Sequence, residues 1–403
     1  MHHSKNQQHK EKRMKKYNFD KVLDRSNSNS EKWAKYAGRD ILPMWVADSD
    51  FEVAPEIIEA LQARVKHGVF GYAEQPSDDV KNAIKAHLKY HYNWAIDTDW
   101  IIALPSLVSG LGLSTLMTDS EDDEVVIPQT IYPPFKYVLD NNQRTAIKVP
   151  MRIDDTSGIE RWVLDIEAFK QSITPKTKLL LFCNPHNPAG TIYTQDELEQ
   201  IYAICEAHDL LICSDEIHCD LLLDADKQHI PIATLNEDAA NRTITLMAAS
   251  KTFNVAGLGF GFAIIPSDSK REKFKVLCRK RMPDINVLAQ TATVAAFNHG
   301  ETWRKEQIDY LRANRDYLMQ EINAISGLKM FPLEATFLAW IDVSELNLDD
   351  PETFFEDAGV GISAGKYFGN NDFIRLNFAC RRSLLEEAVE RIQNAIKTII
   401  PEQ

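Results

Sequence analysis

Between residues 100 and 265, short apolar runs alternate with turns and segments of helical periodicity, and this alternation restricts the chain to one broad architecture. Trp100–Leu104, Glu124–Pro128, Thr145–Val149, Lys178–Cys183, Leu210–Ser214, Thr243–Ala249 and Phe260–Ile265 each read as a strand. Helices fall between them. One follows Pro134, and another spans Thr194–His208, where Thr194 and Glu197 make a capping box and Leu198, Ile201, Tyr202 and Cys205 share one face. Strands and helices in this order make an α/β fold, a mainly parallel sheet of the seven-stranded type with helices on both faces.

The flanks read differently. Pro55 opens a helix whose apolar residues Ile57, Ile58, Leu61 and Val65 recur at helical spacing, and Gly68 stops it after His67. A second helix runs from Val80 to Tyr92. After about Ala289 the pattern becomes amphipathic helix, with a long one over Trp303–Ile325 and strand-like runs at Thr336–Asp342 and Phe373–Phe378. Ser383 and Glu386 read as a capping box for a last helix carrying Ala388, Val389, Ile392 and Ile396. The expected division is residues 1–13 as a disordered extension or an appended artefact, 14–60 as an N-terminal segment packing with the small domain, 61–290 as a large cofactor-binding domain, and 291–403 as a smaller α+β domain. A chain of 403 residues with 44% hydrophobic content is long enough for two such cores.

Charge and cysteine usage exclude several functions. A formal net charge of -14 repels phosphate backbones and anionic membranes, so neither nucleic acid nor a membrane is an expected partner. The six cysteines form no C-x-x-C pair, which fits a reduced compartment. No window approaches 18 consecutive apolar residues and the N-terminus is polar, so the expected location is the cytoplasm.

Chemistry concentrates where the apolar runs end. Lys251 follows the run Thr243–Ala249 and enters a glycine-rich turn, AASKTFNVAGLGFG, where desolvation would free its amine as a nucleophile suited to a Schiff base with a carbonyl cofactor. Asp215, at the end of another run, is placed to pair with a pyridine nitrogen. Asn187, in NPHNPAG, is placed to donate to a phenolic oxygen, and Tyr132 to stack on a ring. The turn PSLVSGLG (Pro105–Gly112) would offer backbone N–H groups to a phosphate. Each also has an ordinary reading: a surface lysine, a helix cap, a turn former, a core aromatic, a plain connection.

Taken together, CNPHNPAGTIYT, SDEIHCD, AASKTFNVAGL and FIRLNFACRR, in that order, resemble the fold-type I pyridoxal phosphate enzymes, the aminotransferase superfamily. PMWVADSDF, FGY and IYPPF are similar to its cystathionine β-lyase-like carbon–sulfur lyases. The resemblance implies that Lys251 holds the cofactor, Asp215 its ring nitrogen, Asn187 and His218 its phenolic oxygen, and Tyr132 its ring face. Ser250, Val108 and Ser109 would hold the phosphate, and Tyr72 would reach it from the neighbouring subunit of a homodimer. Arg375 would clamp the substrate carboxylate, with Asn187 beside it. Trp45 and Pro283–Asn286 would contribute to the choice of sulfur substituent.

Three departures from the pattern stand out. Gly259 occupies the position where many aminotransferases carry an arginine eight residues past the lysine, which favours the lyase branch. His218 stands where many relatives have tyrosine, and Pro283 and Asp284 precede Ile285 where a histidine often does. The resemblance leaves three activities to separate. The first is β-elimination from a cysteine thioether, the second amino-group transfer, and the third a cofactor-binding regulator without catalysis. No metal is expected.

Overall fold

The computed structural model describes residues 17–25, 27–156 and 158–400. The expected extension over residues 1–13 lies outside them. Seven strands form the main sheet: β1 (Ile101–Leu104), β2 (Glu124–Pro128), β3 (Thr145–Val149), β4 (Thr177–Cys183), β5 (Leu211–Asp215), β6 (Thr243–Met247) and β7 (Gly261–Ile264). Their spatial order is β1-β7-β6-β5-β4-β2-β3. All pairs are parallel except those of β7, which runs antiparallel to both β1 and β6. A mainly parallel sheet was expected from the alternation of elements, and it places the ends of β4, β5 and β6 on one edge. In open α/β sheets that edge is where ligands bind.

Both faces of the sheet are covered, as strands apolar at nearly every position require. One face packs Leu107, Leu111, Phe135 and Phe274, and the other packs Leu198, Ile201 and Cys205 from Gln195–Ala207. Thr194 caps that helix through the capping box read from the sequence, its hydroxyl accepting from the Glu197 amide while the Glu197 carboxylate accepts from the Thr194 amide.

A second sheet carries β8 (Lys329–Met330), β9 (Leu338–Asp342), β10 (Ser363–Ala364) and β11 (Phe373–Asn377), in the order β8-β9-β11-β10 and antiparallel throughout. Its core includes Leu311, Leu318, Ile322, Phe355, Leu385 and Ile392, and also Phe19, Leu42, Met44 and Phe51 from the start of the chain. Leu42–Pro43 pairs in parallel with Val360–Gly361.

One expectation is overturned. The last helix spans Arg382–Lys397 with Arg381 as its cap residue, so Ser383 lies inside the first turn and makes no capping box. Its hydroxyl accepts from the Arg381 guanidinium instead, at 3.0 Å, while the Arg382 amide donates to the Tyr310 hydroxyl. Tertiary contacts thus cap the helix. The hairpin Met151–Asp154 with Arg161–Leu164 was absent from the sequence reading because each of its strands is only four residues long.

Gly190, in the loop after β4, has φ of +70°. A Cβ there would lie 2.0 Å from Leu333 Cδ1 and 2.9 Å from the Ala335 carbonyl. Gly190→Ala therefore combines left-handed backbone strain with an unrelieved clash and is expected to cost ~3 kcal/mol, read as a lower urea midpoint.

Candidate active site

The carboxyl ends of β1, β4, β5 and β6 open into one cavity, lined by Ser106, Val108, Tyr132, Asn187, Asp215, His218, Ser250 and Lys251 among others. The sheet explains the convergence. Asp215 is the last residue of β5, Lys251 lies four residues past β6, and Asn187 four past β4. The Tyr132 amide donates to the Asn187 carbonyl at 3.1 Å, which ties the turn after β2 to the turn after β4.

Lys251 and Asp215 are both shifted toward neutrality. Burial and the neighbouring Arg375 guanidinium lower the Lys251 amine to about 8, and its Nζ donates to the Ala47 carbonyl at 2.8 Å. Burial pushes Asp215 up to about 7, against the Ile217 amide that donates to its Oδ1 at 3.2 Å. Burial, with Lys251 and Arg375 nearby, lowers His218 to about 3, so its imidazole is neutral. Burial also raises Tyr132, which keeps its phenol protonated at neutral pH.

Arg375, on β11 of the second sheet, donates from Nη1 to Asn187 Oδ1 and from Nη2 to the Trp45 carbonyl, each at 3.0 Å. Its guanidinium sits 4.6 Å from the Phe368 ring centroid, and its buried Nε has no partner among the described residues. Burial brings it down only to about 10, so it stays cationic. A buried fork with donors to spare suits a carboxylate.

The helix Leu107–Thr115 begins at one end of the cavity. Ser106 caps this helix, its hydroxyl accepting from the Ser109 amide at 3.1 Å and lying 2.9 Å from Ser109 Oγ. The first N–H groups of a helix lack intrahelical acceptors, so this end attracts anions. Ser106 was missed in the sequence although its position ahead of an apolar helical run marks a cap. Gly259 faces the same cavity with φ of +69°, and a Cβ would sit 3.4 Å from the Pro105 carbonyl. The left-handed turn gives glycine a conformational reason to be there.

Not every expected residue joins the cavity. Tyr72 is 101% exposed and, with Phe70, lines a separate groove against Asp284–Leu288. Pro283–Asn286 therefore lies beside Tyr72, with the Ile285 amide on Gln75 Oε1 at 3.1 Å. Trp45 meets the site through its backbone carbonyl, while its indole N–H donates to the Lys32 carbonyl at 3.0 Å. Ser109 reaches it through Ser106.

Behind Asp215 lies a buried polar network. Glu216 accepts from Ser214 Oγ at 2.8 Å and pairs with His229 at 2.7 Å; Asp220 pairs with His87 at 3.0 Å and with the Tyr92 hydroxyl. These pairs fix the segment that carries Asp215 and His218 from its far side.

The donor set fits pyridoxal phosphate. A buried carboxylate that forms no ion pair among the described residues, an amine, a neutral imidazole whose Nδ1 is buried and unpaired among them, and a capped helix end share one cavity. Each matches one part of that molecule: ring nitrogen, carbonyl carbon, phenolic oxygen, phosphate.

The fold and this cavity define a class. Residues 39–392 match the family Aminotransferase class I and II, and the chain belongs to it, in its carbon–sulfur lyase branch. The chain is 33% identical over 394 residues to cystathionine β-lyase PatB of Bacillus subtilis (strain 168), which spans 94% of this chain and 100% of PatB. The crystal structure of OvoB superposes with a TM-score of 0.92 at 44% identity, covering 96% of this chain and 100% of OvoB. The pyridoxal phosphate-bound C-S lyase of Staphylococcus hominis superposes at 0.86 with 30% identity, covering 94% and 99%.

Proposed function

We propose that this pyridoxal phosphate-dependent carbon–sulfur lyase cleaves the Cβ–S bond of cystathionine or a related cysteine S-conjugate, giving a thiol, pyruvate and ammonia. The observation that carries the reading is the Lys251 amine and the Asp215 carboxylate in one cavity, with the Arg375 fork beside it on Asn187, which also lines that cavity. Lys251 and Asp215 would hold the cofactor at its carbonyl carbon and ring nitrogen. Asn187, His218 and Tyr132 would hold its phenolic oxygen and ring face, and Ser106, Val108, Ser109 and Ser250 its phosphate. When bound, the cofactor supplies an electron sink for the charge left at a substrate Cα.

The protein's own residues supply binding and proton transfer. Arg375 pairs with the substrate carboxylate and, with Asn187, orients the Cα–H bond toward Lys251. The Lys251 amine, lowered to about 8, accepts that proton at Nζ. The Cβ–S bond then breaks with its electron pair leaving on sulfur. The enamine left behind takes up water and gives pyruvate and ammonia.

Two incubations test this. Cystathionine alone is expected to yield pyruvate and a free thiol, while an amino acid with 2-oxoglutarate is expected to yield no glutamate. Glutamate in the second, with no pyruvate in the first, would make the protein an aminotransferase.

The exposed Tyr72 is where a residue serving a second subunit's phosphate would stand. In that arrangement Tyr72→Phe weakens cofactor retention by about tenfold in a dimer, as one lost hydrogen bond to a charged group does. A monomer in sedimentation would remove this role.

A further inference from the structure

Residues 44–51 pass the site as an irregular strap outside both sheets, and we propose that Asn254 and Asn377 are positioning residues that hold this strap so that its carbonyls orient Lys251 and Arg375. The inference rests on Lys251 being the base and Arg375 the carboxylate clamp. The strap has no long neighbouring strand to satisfy its peptide groups, and buried carbonyls left unpaired are costly. The two asparagine amides take that place.

Asn254 lies three residues past Lys251. Its Nδ2 donates to the carbonyls of Ser49 at 3.1 Å and Phe51 at 3.0 Å, and its Oδ1 accepts from the Ser49 amide at 3.1 Å. Its φ of 56° is left-handed, a conformation asparagine tolerates better than most residues. Asn377 lies two residues past Arg375 on β11, hence on the same face. Its Nδ2 donates to the carbonyls of Val46 at 2.5 Å and Asp48 at 2.7 Å, while its Oδ1 accepts from the Ala379 amide at 2.8 Å. Ala47, flanked by the two residues that Asn377 holds, offers its carbonyl to Lys251 Nζ at 2.8 Å, and Trp45, just ahead of them, offers its own to Arg375 Nη2 at 3.0 Å. Asn377 thus brackets the acceptor of Lys251 and adjoins that of Arg375, while Asn254 ties the turn that carries Lys251 to the far end of the strap.

The strap also carries Asp48, whose charge favours the protonated amine of Lys251; Arg375 opposes it, and Asp215 and His218 face the same amine. Loosening the strap withdraws a carbonyl acceptor and a carboxylate together. Both losses favour the neutral amine, so the pH at which Lys251 becomes a competent base should fall.

The test uses Asn254→Ala, Asn254→Gly and Asn377→Ala in the cofactor-loaded enzyme, with cystathionine as substrate. Both Asn254 variants are expected to lower kcat by about tenfold with KM nearly unchanged, and to move the acid limb of the kcat profile to lower pH. Asn377→Ala, which loosens the acceptors of both cations, is expected to raise KM by about tenfold and to lower kcat as well. The glycine variant accepts the left-handed backbone without strain, so it removes only the clamp. A second readout needs no turnover: after the cofactor is stripped, the pH dependence of its relinking to Lys251, followed by absorbance, should shift the same way in both Asn254 variants. Wild-type kcat and an unmoved acid limb in Asn254→Gly would overturn the clamp alone. A wild-type enzyme that relinks the cofactor but releases neither pyruvate nor thiol would overturn the lyase reading and the base role on which the clamp depends.

Discussion

Lys251→Ala is expected to lower cystathionine turnover by at least about 10³-fold and to remove the visible absorbance that arises when the cofactor is bonded to a lysine. The size of the effect follows from two lost roles at one atom. In the proposed roles Nζ is both the nucleophile that holds the cofactor and the base that takes the Cα proton, and its neighbours in the cavity are a carboxyl group, a neutral imidazole and a protonated phenol, none of them an amine. Lys32 cannot substitute. It is 1% exposed and held by Asp50 at 2.9 Å on the far side of the strap. Cofactor held only by its phosphate and ring contacts should dialyse away, and a variant that kept both absorbance and turnover would end the assignment.

Asp215→Asn is expected to cost about 10²-fold or more in turnover, because the amide keeps the shape and removes the charge that stabilises a cationic ring nitrogen. The pH dependence of cofactor loading separates this from a packing defect. Asp215, raised to about 7, must lose its proton to pair with that nitrogen, and Lys251, lowered to about 8, must lose one to bond the carbonyl. Both changes favour loading at higher pH, so the rate should climb between about pH 6 and about pH 9. In Asp215→Asn the lower of the two steps should vanish and the step set by Lys251 should remain. A profile identical to wild type would remove Asp215 from the ring-nitrogen role.

The residues that the cavity brings together were largely legible in the sequence. Lys251, Asp215, Asn187 and Tyr132 stood out because each follows an apolar run, and a parallel sheet turns that repeated position into one shared edge. Thr194 and Glu197 announced a helix start through local hydrogen bonds that need no tertiary partner. Ser383 and Glu386 showed the same spacing and misled, because the Ser383 hydroxyl is taken by the Arg381 guanidinium and the Tyr310 hydroxyl accepts from the first-turn amide of Arg382 instead. Contributions made by backbone atoms had no sequence signal. Any residue at 45 or 47 brings a carbonyl, and only the fold shows that these two meet Arg375 and Lys251. The polar network through Glu216, His229, Asp220 and His87 was hidden for a related reason: His87 and its partner Asp220 are separated by 133 positions. Gly259 read as a missing arginine, and its left-handed turn shows what the glycine itself allows.

The strap also sets a schedule for the ribosome. The bond from Ala47 to Lys251 spans 204 positions and the bond from Trp45 to Arg375 spans 330. At ordinary synthesis rates the second interval takes tens of seconds. Throughout it the apolar residues Met44 and Phe51 have emerged while most of the core that buries them has not been made. The nascent chain is therefore a natural client for chaperones at its N-terminal end, and catalytic competence arrives only after translation of the final hundred residues or so.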